Sequence, residues 1–188
     1  MAAKDSERRE AWTREATDYV QTEGLIGLSL RPLAAALGTS DRMVLYHFGT
    51  KDDLVAAVLR ESNQRSVAPL AAMPPSRDLR GAVLDLWDAV RSPAIEPCTR
   101  MYVEAAALGL LGREPYASVV REANDNWMSA LIAHLTRSGV PRPLAERAAT
   151  VIDAAFLGFQ LDAPLDVGTS ARKRAVVDLA DAVAALGG

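Results

Sequence analysis

The chain is poor in the residues on which most site chemistry depends. It has one cysteine, Cys98, in 188 residues, so no internal disulfide can form, and a lone thiol reads as a small core hydrophobe. Its two histidines, His47 and His134, lie far apart. Neither belongs to H-E-x-x-H or to a His/Cys cluster with ligand spacing, which argues against a metal centre. G-x-S-x-G, C-x-x-C and a phosphate-cradling glycine loop are all missing. No catalytic residue, metal or cofactor is therefore expected. Apolar runs fall short of the roughly 20 residues of a membrane span. The opening Met1-Ala-Ala-Lys-Asp-Ser-Glu-Arg-Arg-Glu10 lacks the apolar centre of a signal peptide, so a cytoplasmic location is expected. Lysine is scarce as well, three against 18 arginines.

What remains is the material of a helical globular protein. The chain is 49% hydrophobic and 24% charged, within the globular range. Period-2 alternation persists nowhere, whereas apolar spacings of three and four recur throughout. The reading is all-α, with about nine helices. One helix covers residues 6 to 23, with Ala11, Ala16, Tyr19 and Val20 toward a core and Gly24 as its stop. Short helices follow, after Ser29 and over Asp41 to Tyr46, and another runs from Lys51 to about Arg65. Ala68 to Ser76, with Pro69, Pro74 and Pro75, is the strongest break. Helical faces then recur at Leu79–Val90, Met101–Leu108 and Tyr116–Leu131, after Pro143, and from a start at Gly168 to Ser170. The expected division is 1–50, 51–68 and 69–188.

The stretch from Leu28 to Leu54 carries the densest local signals. Leu33, Ala34 and Leu37 form an apolar face; Gly38 stands where the chain must turn; Ser40 suits an N-cap, and Val44 would pack back on the first helix. Alone, this fits an ordinary αα-corner as well as a helix-turn-helix. Thr50 with Asp53 then makes a capping box, and Lys51 lies at a helix N-terminus, a position that suits an approaching phosphate. Leu28-Ser29-Leu30-Arg31, Leu33-Ala34-x-x-Leu37-Gly38-x-Ser40 and Tyr46-His47-Phe48-x-Thr50-Lys51-x-x-Leu54 together resemble the DNA-binding region of TetR-family transcriptional regulators. The resemblance spans about residues 8 to 60.

The resemblance implies a three-helix DNA-binding domain over 1–50, a connecting helix over 51–68 and a helical effector-binding and dimerisation domain over 69–188. Ser40, Asp41, Arg42 and Met43 become the candidate base readers. Arg42 suits guanine, Asp41 suits cytosine N4 and Met43 suits a thymine methyl; Asp41 serves the helix dipole equally well. Ser29 and Arg31 match positions that meet the backbone or groove edge. Tyr46, His47 and Lys51 match a phosphate clamp that positions without specifying. Net charge is −3, but between Ser29 and Lys51 three cations face one acid, a locally basic stretch. One position departs from the pattern: where the family usually has an aromatic, often tyrosine, this chain has Leu45, which cannot bond a phosphate.

The later helices are expected to hold a small-molecule effector, with Trp87, Met101, Tyr102, Tyr116, Asn124, Trp127 and Phe156 as candidate lining. Read without the resemblance, the same residues make a plain packed core. Ala148, Ile152, Ala155 and Phe159, with Val176, Ala180 and Val183 on the last helix, are candidates for a homodimer interface. A central, fully buried helix of one chain is the other reading of that pattern. The function implied is a regulator, typically a repressor, that reads a pseudo-palindromic DNA operator as a dimer. Leu45 and the net charge motivate the alternative of a helical interaction or scaffold protein without operator binding.

Overall fold

Residues 2–162 and 169–187 are described in the computed structural model; among them lie nine α-helices, no strand and a short 3-10 turn at Ala185–Gly187. The helices are α1 (Ala2–Glu23), α2 (Leu30–Ala36), α3 (Asp41–Phe48), α4 (Lys51–Ala72), α5 (Leu79–Val90), α6 (Glu96–Leu110), α7 (Tyr116–Arg137), α8 (Arg142–Leu161) and α9 (Thr169–Ala184). The all-α expectation holds. Gly168, part of the expected start of α9, lies outside the described residues. Among the bounds that differ from the sequence expectation, two turn on a proline. α4 continues through Pro69 to Ala72: a proline in the last turn costs one N–H and crowds one carbonyl, and the helix stops three residues on. α8 begins at Arg142 with Pro143 in its first turn, where the missing N–H has no intrahelical partner to lose.

Compactness does not follow chain order. One unit comprises Met1–Ser66 with Pro93–Asp125, the other Val67–Ser92 with Asn126–Gly188. α6 and the first part of α7 thus group with the N-terminal helices. The first unit's core gathers Trp12, Ala16 and Val20 of α1, Leu33 and Ala34 of α2, Val44 and Phe48 of α3, and Leu54, Val55 and Val58 of α4; Met101, Ala105 and Val119 join it. Polar ties reinforce the union of α1 and α6. Glu104 Oε2 accepts the N–H groups of Leu25 at 2.8 Å and Ile26 at 2.7 Å, and Gln21 Nε2 donates to Cys98 Sγ at 3.3 Å. Burial pushes the Cys98 thiol above its ordinary value, as a core role requires.

The second unit brings α5 against α9 and α8 against α9. The Trp87 ring meets Phe156 and Phe159 edge-on, at 5.1 and 5.6 Å. A polar cluster is enclosed at one place. Ser76 Oγ donates to Asp85 Oδ2 at 2.6 Å and lies 3.2 Å from His134 Nε2, while Ser76 N–H donates to Ser138 Oγ at 2.9 Å. His134 is fully buried, and its pKa lies below the ordinary histidine value, first through burial, then through Arg137, with Asp85 opposing. The unfolded chain therefore takes up the proton first. The stability contributed by the neutral ring is complete above about pH 6.5 and is lost as pH falls from there toward the folded value. Thermal unfolding between about pH 7.5 and pH 5 should show Tm falling on acidification. His134→Asn should flatten part of that fall, and an identical profile in the variant would count against this role.

Candidate nucleic-acid interface

The site is built outward from one glycine corner. α2 starts after Ser29, whose backbone is extended and whose side chain caps nothing, so its hydroxyl stands exposed. Leu33 and Ala34 are buried. Gly38 takes φ +64°, a left-handed conformation that costs glycine no Cβ contact. Its N–H donates to Ala35 O at 3.1 Å, and Thr39 N–H donates to Ala34 O at 2.9 Å. The chain can then reverse over α2, and Ser40 Oγ caps α3 by accepting from Met43 N–H at 3.3 Å.

α3 runs two residues beyond the expected Tyr46, to Phe48. Four residues apart, Val44 and Phe48 share one face and are 0% and 4% exposed. The other face stays in water: Ser40, Asp41 and Arg42 are exposed, Met43 is 40% exposed and Tyr46 72%. Asp41 Oδ1 accepts from Arg42 N–H at 2.9 Å, which commits that oxygen to the helix start, where a negative charge is favoured. Gly49 ends the helix at φ +92°, its N–H donating to Leu45 O at 2.8 Å. The reciprocal Thr50–Asp53 capping box follows, both backbone N–H bonds at 3.0 Å. The Asp53 carboxyl is held below its ordinary value, first by the Thr50 hydroxyl and N–H and last by the charge of Arg9. The Lys51 ammonium donates to the carbonyl of Leu28. Its charge is thereby fixed at the entry to α2.

His47 is half-buried. Its ring stands nearly perpendicular to Trp12, at 4.9 Å, and to Tyr46, at 5.1 Å. Trp12 was not among the sequence candidates: the contact is 35 positions long, and no local pattern announces it. Among the expected DNA-facing residues, Ser29, Arg31, Ser40, Asp41, Arg42, Met43, Tyr46 and Lys51 are exposed. Leu45 is half-buried, and its hydrocarbon side chain adds no donor to this face.

The other candidates lie in two places. Met101, Tyr102, Tyr116 and Asn124 belong to the first unit, Trp87, Trp127 and Phe156 to the second. Met101 is 2% exposed within the core that includes α1 and α4. Tyr102, Tyr116 and Asn124 are half-buried, and burial raises the Tyr116 phenol above its ordinary value, with Asp52 adding to the shift. Trp127 Nε1–H donates to Asp153 at 3.0 Å. Of the dimer candidates, Ala148, Ile152, Val176, Ala180 and Val183 are buried within the chain, while Ala155 and Phe159 are half-buried. The exposed apolar positions are their neighbours Val151, Ala154, Gly158 and Leu161 of α8, with Val177 of α9. Among the described residues no group of three or more His, Cys, Asp or Glu is placed to hold a metal. Ser76, His134 and Asp85 do meet, but the serine proton goes to the carboxylate. That leaves the imidazole as donor to Ser76 Oγ, the reverse of a base activating a nucleophile.

Residues 14–58 match the family model for bacterial regulatory proteins of the tetR family. No curated protein sequence matches the chain. Solved structures share the fold. A transcriptional regulator from Rhodococcus sp. Rha1 superposes with TM-score 0.74 at 23% identity, covering 93% of this chain and 95% of that one. A TetR transcriptional regulator from Legionella pneumophila gives 0.71 at 18%, covering 92% and 95%. The multidrug binding protein EbrR, complexed with imidazole, gives 0.65 at 24%, covering 92% and 94%.

The helix C-terminus makes a sharp demand on one residue. A Cβ at Gly49 would lie 3.0 Å from Asp53 Oδ2, on a backbone that L residues rarely adopt. Gly49→Ala should cost about 1–3 kcal/mol, read as a lower denaturant midpoint at unchanged m-value. An unshifted midpoint would show that the α3–α4 junction tolerates another path.

Proposed function

We propose that this chain, whose residues 14–58 match the family model for bacterial regulatory proteins of the tetR family, is a sequence-specific DNA-binding transcriptional regulator, a repressor released by a small-molecule effector. One observation carries the reading. α3 buries Val44 and Phe48 and leaves Asp41, Arg42, Met43 and Tyr46 in water. A two-turn helix exposed on that face has the dimensions of a major-groove reader, with its first residues nearest the base edges. Ser40, Arg42 and Met43 are then the base readers, with Asp41 shared between cytosine and the helix start. Ser29, Arg31, Tyr46 and His47 meet sugar and phosphate, and Lys51 fixes a positive charge beside the entry to α2.

An operator of two half-sites requires two copies of α3, about 34–36 Å apart. The second copy is assigned to the exposed apolar stripe of α8, Val151, Ala154, Gly158 and Leu161, with Val177. The deeper residues Ile152, Val176, Ala180 and Val183 support that stripe from within. EbrR, a multidrug binding protein of this fold, supports an effector role for the later helices, with Trp87, Trp127 and Phe156 of the second unit as lining. Met101, sealed in the core, is withdrawn from that set. An effector can release DNA only as far as it binds the two spacings of the dimer unequally. No described helix is long and apolar enough to cross a membrane, and the cytoplasm, where the operator lies, is the proposed location. No reaction is assigned.

Selection of bound duplexes from a random pool tests the reading directly. Arg42→Ala should lose preference at one base of each half-site, costing about 1–3 kcal/mol against the wild-type sequence while leaving non-specific affinity nearly unchanged. Recovery of no preferred sequence by the wild-type protein would favour the scaffold alternative. In parallel, Ala154→Glu should convert the dimer to a monomer in light scattering behind size exclusion without lowering helicity. A dimer that persists would place the interface elsewhere.

A further inference from the structure

In the sequence, Arg8 and Arg9 at the start of the first helix fit a phosphate contact, and plain exposed surface charge fits them as well. The structure gives those arginines a definite place. The Arg8 guanidinium lies 5.7 Å from the centre of the Trp12 ring, and that of Arg9 lies 5.5 Å from the centre of Phe48. Trp12 meets His47 edge-on, and His47 meets the exposed Tyr46. One run of contacts therefore leads from Arg8 to the water-facing side of α3. A second leads from Arg9 to the α3–α4 junction, where its charge also reaches the Asp53 carboxylate.

We propose that Arg8 and Arg9, laid on the rings of Trp12 and Phe48, grip phosphates of the duplex beside α3 and replace the backbone contact that Leu45 cannot make. The inference rests on the DNA-reading function above. At 5.7 and 5.5 Å from the ring centres both guanidinium groups are within cation–π range, which restricts their rotamers and leaves N–H groups for a phosphate. Both arginines are exposed, and neither is ion-paired among the described residues. At 100° per residue, Arg8, Trp12 and Arg9 share one side of α1 while Glu7 and Glu10 project from the other. Asp5, one turn earlier on the arginine side, forms no ion pair with either. Trp12 acts as a positioning residue, since its ring meets His47 edge-on and carries Arg8 over its face.

The test is the salt dependence of binding to a fluorescein-labelled duplex that the wild-type protein recovers from a random-sequence pool. Because both protomers of the dimer carry the change, Arg8→Ala/Arg9→Ala should flatten the slope of log affinity against log salt by about 3.6, four phosphates at about 0.9 each. Between 50 and 200 mM salt the wild-type affinity should then fall roughly 150-fold more than that of the variant. The recovered sequence should stay the same, and Arg8→Lys/Arg9→Lys should restore the slope. Arg121→Ala, a surface arginine of α7, serves as control and should leave it unchanged. If wild type and double variant share one slope, or if the control flattens it equally, the phosphate grip is wrong while the regulator reading stands. If the wild-type protein recovers no duplex at all, both fall.

Discussion

The burial of Val44 and Phe48 in the core that includes Leu33 and Ala34 is the constraint on which the proposed DNA-facing surface depends. An isolated eight-residue helix does not hold its shape in water. α3 exists because two side chains, each contributing about 1.5–3 kcal/mol on burial, fasten one face, and because Ser40 satisfies an N–H at its start, an effect of about 1 kcal/mol. Val44 and Phe48 are spaced by one turn, so fixing them fixes the rotation of the helix. The direction of Arg42, Met43 and Tyr46 follows without any further contact. Gly38 and Gly49, both at positive φ, set where that helix begins and ends.

Much of this corner was legible in the sequence because its signals are local. A glycine at a forced turn, a serine three residues before the amide it caps, and a threonine and aspartate closing a capping box all act within four positions. Longer contacts were not legible. Trp12 lies under His47 from 35 positions away, and Glu104 on α6 binds the backbone of Leu25 and Ile26 across nearly 80; neither leaves a pattern in its own neighbourhood. For the same reason Pro93–Asp125 could not be assigned to the first unit by reading along the chain. The dimer candidates show a subtler limit. Small and bulky residues alternate on α8, but periodicity alone does not say which face the chain itself consumes. Ile152 and Ala148 went to the core, and the outward stripe lies at Val151, Ala154 and Gly158.

Charge explains how an acidic chain can serve a polyanion. The net value of −3 is spread over the whole surface, whereas attraction at the site is decided within a Debye length of about 10 Å. Near α3 the cations are Arg42 on the exposed face, Lys51 tied to the Leu28 carbonyl, and Arg8 and Arg9 over the rings of Trp12 and Phe48. These have different work. A residue that reaches base edges changes which sequence is preferred; one that neutralises phosphate changes how strongly any sequence is held and how steeply salt weakens it. Leu45 sits between the two groups and contributes to neither.

The central claim is that the water-facing side of α3 meets duplex DNA. Hydroxyl-radical footprinting tests it most directly, because Met43 and Tyr46 are both reactive side chains and both exposed. Oxidation rates are measured for the protein alone and with saturating selected duplex, taking the exposed Leu110 and Leu111 as internal references. Strong protection of Met43 and Tyr46 with the two leucines unchanged is the expected result. Undiminished oxidation of Met43 and Tyr46 in a complex that demonstrably holds DNA would contradict it.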